Sequence, residues 1–177
     1  TRCLVGSEMC IRDRIMILTV GDSFTYGSEL SDPKLAWPYL LGKDVVNLAV
    51  PGASNDYIFR NTIGYLHKNT VDAVIVAWTT PNRLEINGYQ HTPNTSPGLF
   101  KEWDEEWARQ KLATQMIALD KFLDMPHYFC TTWDEPINLK CYIGRLVEWC
   151  YESPKGPNGH PLEEGHQKIA DEIAKYI

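Results

Sequence analysis

The stretch "RIMILTVGDSFTYG", residues 14–27, decides the fold. Arg14 to Val20 is a short apolar run stopped by Gly21. Apolar and polar residues do not alternate in it, so it reads as a strand buried on both faces. Such a strand needs similar neighbours, and the chain supplies them. "DVVNLAV" (Asp44 to Val50) ends at Pro51-Gly52, "VDAVIVAW" (Val71 to Trp78) ends at Thr79-Thr80-Pro81, and "HYFCTTW" (His127 to Trp133) reads as a fourth. Helical spacing falls between them. Asn55 to Asn69 carries Ile58, Ile63 and Leu66. Lys101 to Asp124 sets Leu112, Met116, Leu119 and Leu123 on one stripe. Leu162, Ile169, Ile173 and Ile177 share a face at the C-terminus. Pro161 suits the first turn of that last helix, where its missing N–H costs nothing. Strands alternating with helices predict an α/β fold, a mostly parallel sheet covered on both sides. Asn87 to Phe100, rich in Asn, Pro, Gly and Thr, reads as one long loop.

The chain has 177 residues, enough for one domain with a substantial core. Its net charge of −6 argues against nucleic acid or an anionic membrane as partner. No apolar run approaches the roughly 20 residues of a membrane span, and no h-region precedes a small-residue cleavage site. The expectation is a cytoplasmic protein. "CLVGSEMCIRDR" (Cys3 to Arg14) has neither helical nor strand periodicity. It resembles the in-frame translation of a sequencing-library adapter. On that reading residues 1–14 are non-native, the native start lies at or near Met16, and residues 15–177 form a single domain. Cys130, Cys141 and Cys150 have no metal-type spacing and read as reduced thiols.

Ligands of an open parallel sheet bind outside the carboxyl ends of its strands. Three such ends carry informative residues: "GDSFTYG" (Gly21 to Gly27), "PGASND" (Pro51 to Asp56) and "TTPNR" (Thr79 to Arg83). Ser23, at a strand-to-helix turn, could present its hydroxyl to a substrate. It could equally cap the helix. The N–H groups of the same turn could cradle a phosphate, although the chain has neither a P-loop lysine nor G-x-G-x-x-G spacing. The stretch is also not the G-x-S-x-G elbow. A serine nucleophile needs a base, and His160 in "PNGHP" is the best candidate, because the loop before the last helix returns to the same sheet edge. His91 lies in the long loop, His67 and His166 sit in helical patterns, and His127 opens a strand.

"GDSFTYG", "NLAVPGASND" and "GHPLEEGH", in this order, resemble the SGNH hydrolases, the GDSL-type esterase and lipase family. The likeness runs from Met16 to nearly the end of the chain. It implies the family's three-layer α/β/α sandwich, flavodoxin-like, and hydrolysis of carboxylic esters, including acetyl esters on carbohydrate, through an acyl-enzyme. Carried over by position, it makes Ser23 the nucleophile and its N–H one oxyanion donor. Gly52 would give a second N–H, and His160 would be the general base and acid. No metal or cofactor is implied, and the partner is a small-molecule or saccharide ester.

Two positions depart from the family pattern. Where the family has G-x-N-D after the third strand, this chain reads "AWTTPNR". Thr80 falls at the Asn position, and Thr80 or Asn82 is left to donate to the oxyanion. Where the family carries Asp two or three residues before the His, this chain has Asn158 and Pro157. Asn158 is the expected orienting residue, since an amide oxygen can fix the imidazole tautomer. A backbone carbonyl, Glu152, Asp134 or Glu135 are other candidates. These departures leave open a binding protein for glycans or a partner, on the same fold with its catalysis decayed. Trp78, Tyr89, Trp103 and Trp107 are candidate stacking surfaces, although tryptophan on a helix stripe is more often core.

Overall fold

The computed structural model describes residues 15–133 and 137–177. β1 (Met16–Val20), β2 (Asp44–Asn47), β3 (Ala73–Trp78), β6 (His127–Thr131) and β7 (Tyr142–Arg145) form one parallel sheet in the order β2-β1-β3-β6-β7. β3 lies at its centre, and all six of its residues are buried. The period of two along a strand sorts them onto two faces. Ala73, Ile75 and Ala77 join Ile17, Phe24, Trp37, Leu146, Ile169 and Ile173 on one side. Val74, Val76 and Trp78 join Leu18, Val20, Ile58, Leu112, Met116 and Leu119 on the other. The helices divide accordingly. α2 (Trp37–Leu40), α5 (Leu146–Trp149) and α6 (Glu163–Ile173) cover the first face. α3 (Asn55–Leu66) and α4 (Glu105–Phe122) cover the second. The three-layer α/β/α sandwich read from the sequence is the fold found. No helix among the described residues is long and apolar enough to cross a membrane.

The strand order reverses at β1, whose neighbours are β2 and β3. That switch point opens a crevice beyond the strands' carboxyl ends. The single helical turn α1 (Ser23–Tyr26) starts there. Helix ends follow the local chemistry. Ser54 caps α3 by accepting from the Tyr57 N–H, and Asp104 caps α4 by accepting from Trp107.

Several elements differ from the sequence reading. The segment from Asn87 is not loop throughout, because β4 (Leu84–Ile86) and β5 (Tyr89–His91) pair as a hairpin. Asn87 and Gly88, with φ of 52° and 83°, make the left-handed two-residue turn that Asn-Gly favours. β7 and α5 carry no periodic signal and were not expected. Pro161 lies outside α6, which starts at Glu163. Pro161 bridges to Lys155 instead, and the Gly156 N–H donates to the His160 carbonyl at 2.9 Å. Residues 1–14, with the non-native reading placed on them, fall outside the described residues, as do Asp134 and Glu135.

His166, on α6, is fully buried and accepts a hydrogen bond from the Trp37 N–H at 3.1 Å through Nδ1. Desolvation, with a smaller push from His160, lowers its pKa from 6.5 to about 4, against an opposing effect of Glu163. The folded state therefore binds fewer protons than the unfolded chain between these values, and stability falls as pH drops through that window. The expected loss is about 3 kcal/mol at most. Urea unfolding at pH 7 and pH 4.5 checks it. His166→Asn, which keeps an acceptor for Trp37, should flatten the slope.

Candidate active site

Asp22 organises the crevice. It is fully buried and lies one residue beyond the end of β1, after Gly21. As N-cap of α1, it accepts from the Phe24 N–H at 3.1 Å. Its other bonds come from different strand ends: Thr79 Oγ1 at 2.7 Å beyond β3, Thr132 Oγ1 at 3.3 Å beyond β6, and the Arg83 guanidinium at 3.1 Å. A buried carboxylate is tolerable only when paired and hydrogen-bonded in this way. Because Asp22 supplies the cap, Ser23 is the first residue of α1 and its hydroxyl is not spent on capping. Ser23 is 7% exposed.

The second strand end is fixed by a turn. The Ala53 N–H donates to the Val50 carbonyl at 3.2 Å, with Pro51 and Gly52 between. Gly52 has φ of 74°, the value a type II turn demands after proline and one that L residues rarely adopt. The turn bond uses Ala53, so it leaves the Gly52 N–H unspent. Arg83 also donates to the Ala53 carbonyl at 3.3 Å, tying this turn to Asp22.

Asn55 clamps the third strand end. Its Oδ1 accepts from the Thr79 N–H at 2.9 Å, and its Nδ2 donates to the Thr79 and Thr80 carbonyls at 2.9 and 3.3 Å. Beyond the clamp, Thr80 Oγ1 donates to Asn82 Oδ1 at 2.9 Å. That bond uses the Thr80 proton and leaves the two amide protons of Asn82 as donors.

His160 approaches from the loop before α6. Its ring packs edge-on against Phe24, the residue after Ser23, with centroids 5.8 Å apart. Trp133 packs on the same Phe24 at 5.0 Å and stays 47% exposed. The Nδ1 of His160 lies 2.8 Å from Oε2 of Glu29. Nδ1 donates to that carboxylate, which leaves Nε2 as the basic nitrogen of the neutral ring. Desolvation raises the Glu29 pKa, but hydrogen bonds outweigh it and the net shift is downward. They come from the Asn158 N–H, the His160 ring, the His160 N–H and the Asn158 side chain.

No protein-family model matches this sequence, and no curated protein does. Solved structures match in fold. A lipolytic protein of the G-D-S-L family from Desulfitobacterium hafniense is 13% identical, with a TM-score of 0.62 over 93% of this chain and 100% of its own. The esterase EstA from Pseudoalteromonas sp., in a structure inhibited by monoethylphosphonate, is 13% identical, with a TM-score of 0.60 over 91% and 95%. A family 3 carbohydrate esterase from Clostridium thermocellum is 15% identical, with a TM-score of 0.53 over 92% and 94%. The chain has the SGNH hydrolase fold.

In this SGNH fold, hydrogen bonds and ring contacts join the segments that carry Ser23, Gly52, Thr80, Asn82 and His160. Asn158 behaves differently from the sequence expectation. Its side-chain amide donates to Glu29 Oε1 at 3.0 Å, so it faces that carboxylate as a donor rather than accepting from the ring. Glu29 sits 131 positions before His160 and belongs to no motif of the sequence reading. Asp22, Arg83 and Trp133 were missed too, and Asn55 was read only as a helix start. Trp78 is fully buried against Phe129 and offers no stacking surface. Trp103 packs edge-on against Trp107 and at a tilt against Phe100, around the start of α4.

Asp120, His127 and Cys141 bring ligand-type atoms within 4.8 Å of one another. They gather at the opposite end of β6 from Thr132. The His127 ring bonds the Met125 carbonyl at 2.8 Å and Asp120 at 3.1 Å, and the Cys141 thiol donates to Asp120 at 3.3 Å. Desolvation, with the bond to Asp120, pushes the Cys141 pKa up to about 12, which keeps the thiol protonated at neutral pH. Hydrogen bonding accounts for this group as it stands.

Proposed function

We propose that the protein is a serine hydrolase of carboxylic esters that works through an acyl-enzyme. The observation that carries this reading is the His160 ring, whose Nδ1 is held on a carboxylate beside the helical turn that begins with Ser23. In the reaction His160 Nε2 takes the hydroxyl proton as Ser23 Oγ attacks the ester carbonyl. The Ser23 and Gly52 N–H groups and the Asn82 amide, oriented by Thr80, stabilise the oxyanion. Each such donor is typically worth about 3–4 kcal/mol. Collapse of the tetrahedral intermediate expels the alcohol, which takes its proton from His160 Nε2. Water, deprotonated by the same nitrogen, then cleaves the acyl-enzyme and returns Ser23 with the acid product.

The proposed substrates are small acyl esters, acetyl esters on saccharides included. The carbohydrate esterase among the neighbours supports that class, and the exposed indole of Trp133 gives a sugar ring a face to stack on. The alternative of a decayed binding protein rests on the missing acid beside His160 and on the altered loop after the third strand. Glu29 provides a carboxylate beside His160, which answers the first of these. The test is hydrolysis of an aryl acetate under rapid mixing. A burst of phenol stoichiometric with protein is expected if deacylation is the slower step, and steady turnover above the buffer rate in any case. Absence of turnover in folded protein refutes the proposal.

A further inference from the structure

We propose that Glu29 is the positioning acid of His160, a triad acid moved from the base's own loop to the segment that follows the nucleophile. This inference rests on the esterase reading above. Among the described residues, every hydrogen-bond partner of the Glu29 carboxylate is a donor on one short loop. Oε2 accepts from His160 Nδ1 at 2.8 Å and from the His160 N–H at 3.2 Å. Oε1 accepts from the Asn158 N–H at 3.0 Å and from Asn158 Nδ2 at 3.0 Å. An ionised carboxylate is an acceptor only, and convergent donors are what it requires.

The surroundings are shaped for this carboxylate. A Cβ added to Gly156 would fall 2.7 to 2.9 Å from its three terminal atoms, so only glycine at 156 lets the group lie against the loop. Glu29 itself has φ of 71°, a left-handed backbone that a β-carbon disfavours. The side chain is only 14% exposed. A strained residue that places a desolvated carboxylate on the inner nitrogen of His160 would be poorly chosen for a surface ion pair. Strain of this kind gathers at functional sites. The arrangement also explains Asn158. With the acid arriving from outside the loop, an Asp at 158 would set a second carboxylate against Glu29, whereas Asn donates to it.

The experiment uses Glu29→Gly, which removes the carboxylate and relaxes the backbone, so the fold is expected to survive. Parent, Glu29→Gly and Ser23→Ala are compared on an aryl acetate, with melting temperatures measured alongside. The expected result is a fall in kcat of at least about 100-fold for Glu29→Gly, with KM changed less than about threefold. The reference is the roughly ten-thousand-fold loss when a serine-protease triad Asp becomes Asn. Sodium formate, a small carboxylate that fits the vacated space, should restore kcat at least about tenfold, while chloride at equal ionic strength should not. The inference is overturned if Glu29→Gly keeps kcat within about threefold of the parent. It is also overturned if formate and chloride act alike on a folded, impaired variant. Should Ser23→Ala match the parent, the esterase reading falls and takes this inference with it. A dead Ser23→Ala beside an active Glu29→Gly overturns only the assignment of Glu29.

Discussion

Ser23→Ala is expected to lower kcat on an aryl acetate by about 10⁴- to 10⁶-fold, the range seen when a serine hydrolase loses its nucleophile. The remaining rate would come from the oxyanion donors and from substrate binding, which the substitution leaves in place. KM should change little, because the hydroxyl acts in the chemical step. The fold should be unaffected. Asp22 caps α1, so the Ser23 hydroxyl holds no structural bond there, and alanine is a good residue for a first helical turn. Melting temperature and near-UV circular dichroism should match the parent. A variant that keeps parental kcat would remove Ser23 from the mechanism.

Arg83→Leu is expected to reduce unfolding free energy by about 3–5 kcal/mol, the usual consequence of leaving a buried carboxylate without its counter-charge. Asp22 is fully buried and Arg83 is its salt-bridge partner. The remaining donors, Thr79, Thr132 and the Phe24 N–H, are neutral. A loss of that size is a large share of the 5–15 kcal/mol that holds a typical domain together. Adding Asp22→Asn to Arg83→Leu should recover part of it, because the second change removes the orphaned charge. Urea denaturation of the parent, Arg83→Leu and the double variant measures this coupling. The same Arg83 also ties the Gly52 turn to the serine turn, so activity should fall along with stability.

The parts of the molecule that the sequence makes legible share a physical cause. β1 and β3 are continuous apolar runs because both faces of the sheet are covered, and nothing else of that length reads so clearly. Ser23 stands just past the end of β1, Gly52 past the end of β2, and His160 just before α6, each at a boundary that the apolar pattern marks. β7 is short, half-buried and broken by Gly144, so it leaves no periodic trace. The β4–β5 hairpin has three residues per strand, too few for alternation to register, and only Asn87-Gly88 marked it. Glu29 is the most instructive omission. Its role depends on a contact across 131 positions, on a left-handed backbone and on the emptiness of Gly156. None of these has a local signature. Asn158 drew attention because it stands where a carboxylate is usual. Its part is set by the carboxylate that arrives from elsewhere.

The most direct measurement is covalent labelling of the parent protein with a fluorophosphonate, followed by mass spectrometry of the peptide that contains residues 15–33. A phosphonyl ester needs an activated serine hydroxyl, a working base and an oxyanion site at once, so it reports on the whole constellation. The expected result is one adduct per chain, located on Ser23, absent from Ser23→Ala and much slower in His160→Ala. Folded protein that takes up no label, or takes it up on another residue, would contradict the assignment of Ser23 and His160 as an ester-cleaving pair.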